Sequence, residues 1–95
     1  MECRKGTLGL GPNLTVRPLD LSENGIRVVL RAELPEGQEV EVLLHGSGFA
    51  RPVKRVARVV WSVPVAGGHC AGLRFDDCVG YADVQALAAP PRVLR

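Results

Sequence analysis

Aromatic residues make up only 4% of the 95-residue chain, namely Phe49, Trp61, Phe75 and Tyr81. The interior must therefore be filled by Val, Leu, Ile and Ala. A single-stranded nucleic-acid site, which needs several stacking rings, is left with Trp61 as its one candidate platform. Cysteine is also sparse: Cys3, Cys70 and Cys78 are an odd count with no CxxC spacing. Zinc clamping is not indicated, because His69 and Cys70, as neighbours on a strand, would point to opposite faces. Free thiols in a reducing cytosol are expected. Charge of one sign is lacking as well. The net charge of +2 falls short of the dense basic stripe of a duplex-binding domain, so no DNA or RNA partner is expected. No stretch approaches the roughly 20 apolar residues needed to cross a bilayer as a helix. The opening MECRKGTLGLG has no apolar block of the signal-peptide kind. The expectation is a cytoplasmic protein that does not span a membrane.

Catalytic signatures are missing too. There is no GxSxG, HExxH or GxxxxGK[ST], and His45 and His69 sit in or beside glycine turns without a neighbouring nucleophile. The glycines of residues 6 to 11 follow no strand and open no helix, so they do not make a dinucleotide fingerprint. The chain is read as a non-enzyme that uses no cofactor and no metal.

What is present is a hydrophobic content of 46%, enough for one modest core in one domain. Residues 1–13, rich in glycine, read as a flexible N-terminal arm carrying Arg4 and Lys5; residues 14–89 read as the folded domain and 90–95 as a tail. From Leu14 to Leu21 an apolar alternation slips register near Pro18, the mark of an edge strand or bulge. Ile26 to Arg31 alternates as a half-buried strand, with Val29 the exception. Val40 to Leu44 follows after ELPEGQE, with Glu39 and Glu41 on its polar side. Residues 51–63 are rich in β-branched Val and read as two strand segments joined at a bulge. Cys70 to Phe75 returns as the last strand. Tyr81, Val84, Leu87 and Ala88 recur at helical spacing up to Pro90, which predicts one short C-terminal α-helix. Short strands with regular turns and a terminal helix make an all-β fold, a small antiparallel barrel or sandwich.

The stretch LDLSENG is the most informative one. As a plain turn, Asp20 and Ser22 would bond nearby backbone amides and Gly25 would supply a positive φ. The basic run Arg51, Lys54, Arg55 and Arg58 reads as a solvated outer face paired across strands with Glu39 and Glu41.

The order LDLSENGIRV, then RVVWSV, then CAGLRF resembles the PilZ domain family over roughly residues 4 to 88. Asp20, Ser22 and Gly25 match its turn element, Val59, Val60 and Trp61 a later strand, and Gly72 and Phe75 the next. The resemblance implies a six-stranded antiparallel barrel with a C-terminal helix, and binding of the bacterial messenger cyclic di-GMP. The ligand-binding residues it implies are Arg4 and Lys5 on the arm with Asp20, Ser22 and Gly25 at the turn. In that family an RxxxR arm supplies two guanidinium forks for guanine and phosphate. Here Leu8 stands four residues after Arg4, and Lys5 is the second cation nearby. Losing one charge-assisted hydrogen bond weakens binding by about tenfold to a hundredfold. The alternative implied by the resemblance is a module that has lost the nucleotide and binds another bacterial protein, through the basic run or the terminal helix.

Overall fold

A computed structural model describes residues 1–45 and 53–80. The proposed helix over residues 81–89, the tail, Tyr81, Arg51 and the turn at residues 46–49 lie outside the described residues.

Among the described residues six strands form one antiparallel sheet: β1 (Glu2–Lys5), β2 (Thr15–Leu21), β3 (Gly25–Leu30), β4 (Glu39–Leu44), β5 (Val53–Val65) and β6 (Gly68–Phe75). Their order across the sheet is β1-β4-β5-β6-β3-β2. The sheet curls into a half-barrel whose concave side holds the core. Alternation decides which residues line it. Ile26, Val28 and Leu30 of β3, Val40, Val42 and Leu44 of β4, and Ala71, Leu73 and Phe75 of β6 all point into one buried cluster. Aliphatic side chains carry this core, as the shortage of aromatics requires, and a fully buried one such as Leu30 contributes roughly 1.5–3 kcal/mol.

The two edge strands meet at one end of the curl. The Leu14 amide donates to the Cys3 carbonyl at 2.7 Å. The Asn13 side-chain oxygen accepts from the amides of both Cys3 and Thr15, each at 3.0 Å. At the other end β1 and β2 diverge around an open apolar cleft of about 240 Å³ lined by residues such as Met1, Leu19, Leu21 and Leu44.

Two expectations change, and a third reading, the exception at Val29, gains its explanation. The glycine-rich arm begins with a strand: Glu2 to Lys5 pairs with β4 from Leu43 to Val40, because Cys3, fully buried, supplies an apolar anchor among its polar neighbours. Residues 53–65 form one continuous strand of 13 residues, with the expected bulge placed between Val59 and Trp61. Val29, the exception in the alternation, is 3% exposed yet outside the interior cluster; it is covered on the convex side beside Cys70, its partner on β6. The register slip read near Pro18 corresponds to shifts between Thr15 and Arg17 and between Pro18 and Asp20 in edge strand β2. An edge is where proline is tolerated, since its missing N–H costs no ladder bond.

Candidate functional site

The β2–β3 hairpin positions the corner. Its turn closes with the Ser22 amide donating to the Gly25 carbonyl at 2.9 Å, and the Ser22 hydroxyl donates to the same oxygen at 3.3 Å. The turn is fastened to the end of β6 and to the chain beyond it: the Phe75 amide donates to the Asn24 carbonyl at 2.8 Å and the Val79 amide to the Glu23 carbonyl at 2.9 Å. The exposed Cys78 thiol donates to the Asn24 side-chain oxygen at 3.0 Å. A corner tied on both sides holds its shape before any ligand arrives.

Gly25 is needed here for a reason other than the one the sequence suggests. It is not among the glycines with positive φ; instead, a Cβ at this position would run into the Leu73 carbonyl of β6. Close approach of two strands, not a left-handed turn, demands glycine. Asp20 likewise finds its main partner in a side chain, with the Arg27 backbone amide a lesser one. Its carboxylate accepts from Arg27 Nε at 2.9 Å and from an Arg27 terminal nitrogen as well. That hydrogen bonding and the guanidinium charge hold the Asp20 carboxyl below the usual aspartate range and push the Arg27 guanidinium still higher. Both side chains are more than half exposed, so the pair is a surface arrangement that a ligand can compete for.

Asp20, Ser22 and Gly25 line one open cleft of about 240 Å³ on the convex face, together with Arg27, Trp61 and Gly72. Trp61 is half-buried, and its indole occupies the space that a side chain on Gly72 would take. One wall is thus an aromatic ring and the opposite wall a guanidinium with its carboxylate. A flat, hydrogen-bonding, partly anionic group fits between such walls.

Of the five residues expected at the site, the fold brings Asp20, Ser22 and Gly25 together and leaves Arg4 and Lys5 apart. Neither cation lines the corner cleft. Arg4 donates to the Gly11 carbonyl at 2.7 Å and to the Glu2 carboxylate at 2.6 Å. The Arg4 hydrogen bond is the main reason the Glu2 carboxyl lies below its ordinary range. Met1 reaches the apolar cleft on the far side of Asp20. Arg4 is three residues further along β1, about 10 Å at the rise of a strand.

Two side chains that line the cleft are absent from the residues the sequence points to as the site. Arg27 was legible in principle: a hairpin that places Leu21 opposite Ile26 places Asp20 opposite Arg27. Trp61, the one candidate stacking platform in the sequence, is placed on the cleft by its cross-strand partner Gly72, which presents no side chain to keep an indole away. Of the basic run, Arg58 and Lys54 behave as expected, Arg58 bound to Glu39 at 2.9 Å and Lys54 near Glu41 at 3.7 Å, whereas Arg55, opposite core residue Val42, is half-buried and donates to the carbonyls of Lys54 and Cys78. Among the described residues no helix is long and apolar enough to cross a membrane.

Comparison with known proteins gives one family: the model of the PilZ domain matches residues 7–83. No curated protein and no solved structure matches the chain.

Proposed function

The chain belongs to the PilZ domain family, whose members are binding and adaptor modules of cyclic di-GMP signalling, and on that premise we propose that it is itself a cyclic di-GMP receptor or adaptor of weakened affinity. The observation that carries this reading is the convergence of Asp20, Ser22 and Gly25 on one cleft with Arg27 and Trp61. A guanine stacked on Trp61 gains about 1–3 kcal/mol from the ring. Asp20 and Ser22 offer polar atoms to the base edge. Arg27 supplies a planar fork for phosphate or for guanine O6 and N7. The module works as a non-enzymatic cytoplasmic binder and needs no cofactor.

Weakening follows from the arm. Leu8 stands where a second arginine would complete RxxxR, and Arg4 is engaged with Glu2 and Gly11. For Arg4 and Lys5 to close on the ligand, those contacts must be given up, and that cost is subtracted from affinity. Titration calorimetry with cyclic di-GMP tests the reading. Binding in the micromolar to hundred-micromolar range is expected, accompanied by amide shifts at Asp20 to Gly25 and at Trp61. Folded protein that gives no heat across that range refutes it.

A second reading is a PilZ module that has given up the nucleotide and binds another bacterial protein. The commitment of the Arg4 guanidinium to its own strand and to Gly11 favours it. The same titration separates the two, because this reading requires the absence of a nucleotide signal.

A further inference from the structure

The corner cleft does not stand alone on the convex face. Its residues Arg27, Gly72 and Trp61 form one cross-strand row over β3, β6 and β5, and the next row of the same face is Gly25, Arg74, Arg58 and Glu39. Gly72 and Arg74 lie two residues apart on β6, about 7 Å along the strand and on one face. A second open cleft, of about 410 Å³, covers this next row, with Arg58, Val60, Arg74 and Asp76 among its walls. Val60 lines both clefts. It is the extra residue of the bulge between Val59 and Trp61 and is 50% exposed, so it forms an apolar sill from one cleft to the other.

Charge in the two rows is unevenly answered. Arg74 and Arg58 stand directly opposite each other, an unfavourable pairing of like charges. Arg58 is bound to Glu39 at 2.9 Å and lies 3.9 Å from Asp76. Arg27, in the corner, carries Asp20. Arg74 is exposed and forms no ion pair among the described residues. Of the three cations it is the one whose charge stays open to a ligand, and an anion bound to it would also relieve its repulsion from Arg58.

We infer that Arg74 is the phosphate-binding residue of this face and stands in for the arginine that the N-terminal arm lacks. The inference rests on the cyclic di-GMP reading and extends it. A corner cleft of about 240 Å³ is smaller than the roughly 300–1,000 Å³ of sites that enclose a whole drug-sized ligand. It has room for one guanine against Trp61, and the rest of the cyclic dinucleotide lies outside it. The way out over Val60 carries the ribose across an apolar surface. It brings the phosphodiester onto the Arg74 fork, where two N–H groups meet two phosphate oxygens. Glu39 and Asp76, the carboxylates of the second cleft, lie against Arg58, which disfavours an anion there and leaves it to Arg74.

The test is calorimetric titration of the full chain with cyclic di-GMP, joined to NMR of the arginine side chains. The parent should bind, and its Arg74 Nε–H signal should shift as ligand is added. Arg74→Gln should bind at least about tenfold more weakly. Arg74→Lys, which keeps the charge without the fork, should recover part of that loss. Arg17→Gln removes an exposed charge from a residue that lines neither cleft and should bind as the parent does. Amide spectra check that each variant is folded. If the parent binds and Arg74→Gln binds equally well, the inference is overturned while the cyclic di-GMP reading stands. An equal loss in Arg17→Gln overturns it too, because net charge alone then accounts for the effect. Folded parent that gives no heat removes the cyclic di-GMP reading, and the inference falls with it.

Discussion

The pyrrole side of the Trp61 indole fills the space above Gly72 that any other residue would claim with its Cβ. The bulge between Val59 and Trp61 turns the ring onto the convex face, and Gly72 lets it lie there as the wall of the corner cleft. Replacing Gly72 by Ala must push the ring away. The variant is expected to lose about 1–3 kcal/mol of stability from the forced rearrangement, to show a red-shifted tryptophan emission, and to bind cyclic di-GMP more weakly than the parent. An unchanged emission spectrum would mean that the ring is not held against this glycine.

Asn13 joins the two edges of the curled sheet with a single oxygen shared between the Cys3 and Thr15 amides. Asn13→Ala leaves both donors without that partner, at an expected cost of about 1–3 kcal/mol. Hydrogen exchange at Cys3 and Thr15 should accelerate while the β3 core amides stay protected. Asn13→Asp, which keeps an acceptor in place, should recover most of the loss.

The Asp20 carboxyl is held low by hydrogen bonding to Arg27 and by its charge. A depressed folded-state value means that the pair contributes at pH above the unfolded aspartate value of about 3.9 and is lost only as pH falls through the lower folded value. Carbon-detected NMR titration should therefore place the Asp20 midpoint below that of an unfolded aspartate. In Arg27→Gln the midpoint should move back up. An unmoved midpoint would show that the guanidinium is not its cause.

The three cysteines differ in accessibility: Cys3 and Cys70 are buried and Cys78 is exposed. Burial pushes the Cys3 thiol up to about 11, so it has almost no thiolate at neutral pH. Alkylation of the folded chain followed by mass spectrometry should yield a rapid adduct at Cys78 and slow modification elsewhere. Denaturation should expose all three. Rapid labelling of Cys3 in the folded chain would mean that β1 leaves the sheet readily.

Much of the fold was legible because it is local. The alternation of Ile26, Val28 and Leu30, the slip near Pro18 and the β-branched run to Val63 each report a strand through nearby residues alone. The edge strand β1 was not legible, since four residues flanked by glycine carry no periodicity of their own. They become a strand only because β4 offers an open ladder and Cys3 a buried seat. In the corner, Asp20, Ser22 and Gly25 were readable as a motif, but the partners of Asp20 and Gly25 were not. Arg27 and the Leu73 carbonyl come from register, which a short motif does not encode.

Taken alone, the order of residues determined an all-β fold for the described residues, filled with aliphatic side chains and bearing a polar Asp20–Gly25 corner, because spacing, turn chemistry and composition act over a few neighbours. Tertiary structure decided where the side chains of the proposed site stand: Trp61 over Gly72, Arg27 on Asp20, and Arg4 turned to Glu2 and Gly11. Those placements depend on strand register and on the curl of the sheet, which are set by the packing of residues far apart in the chain.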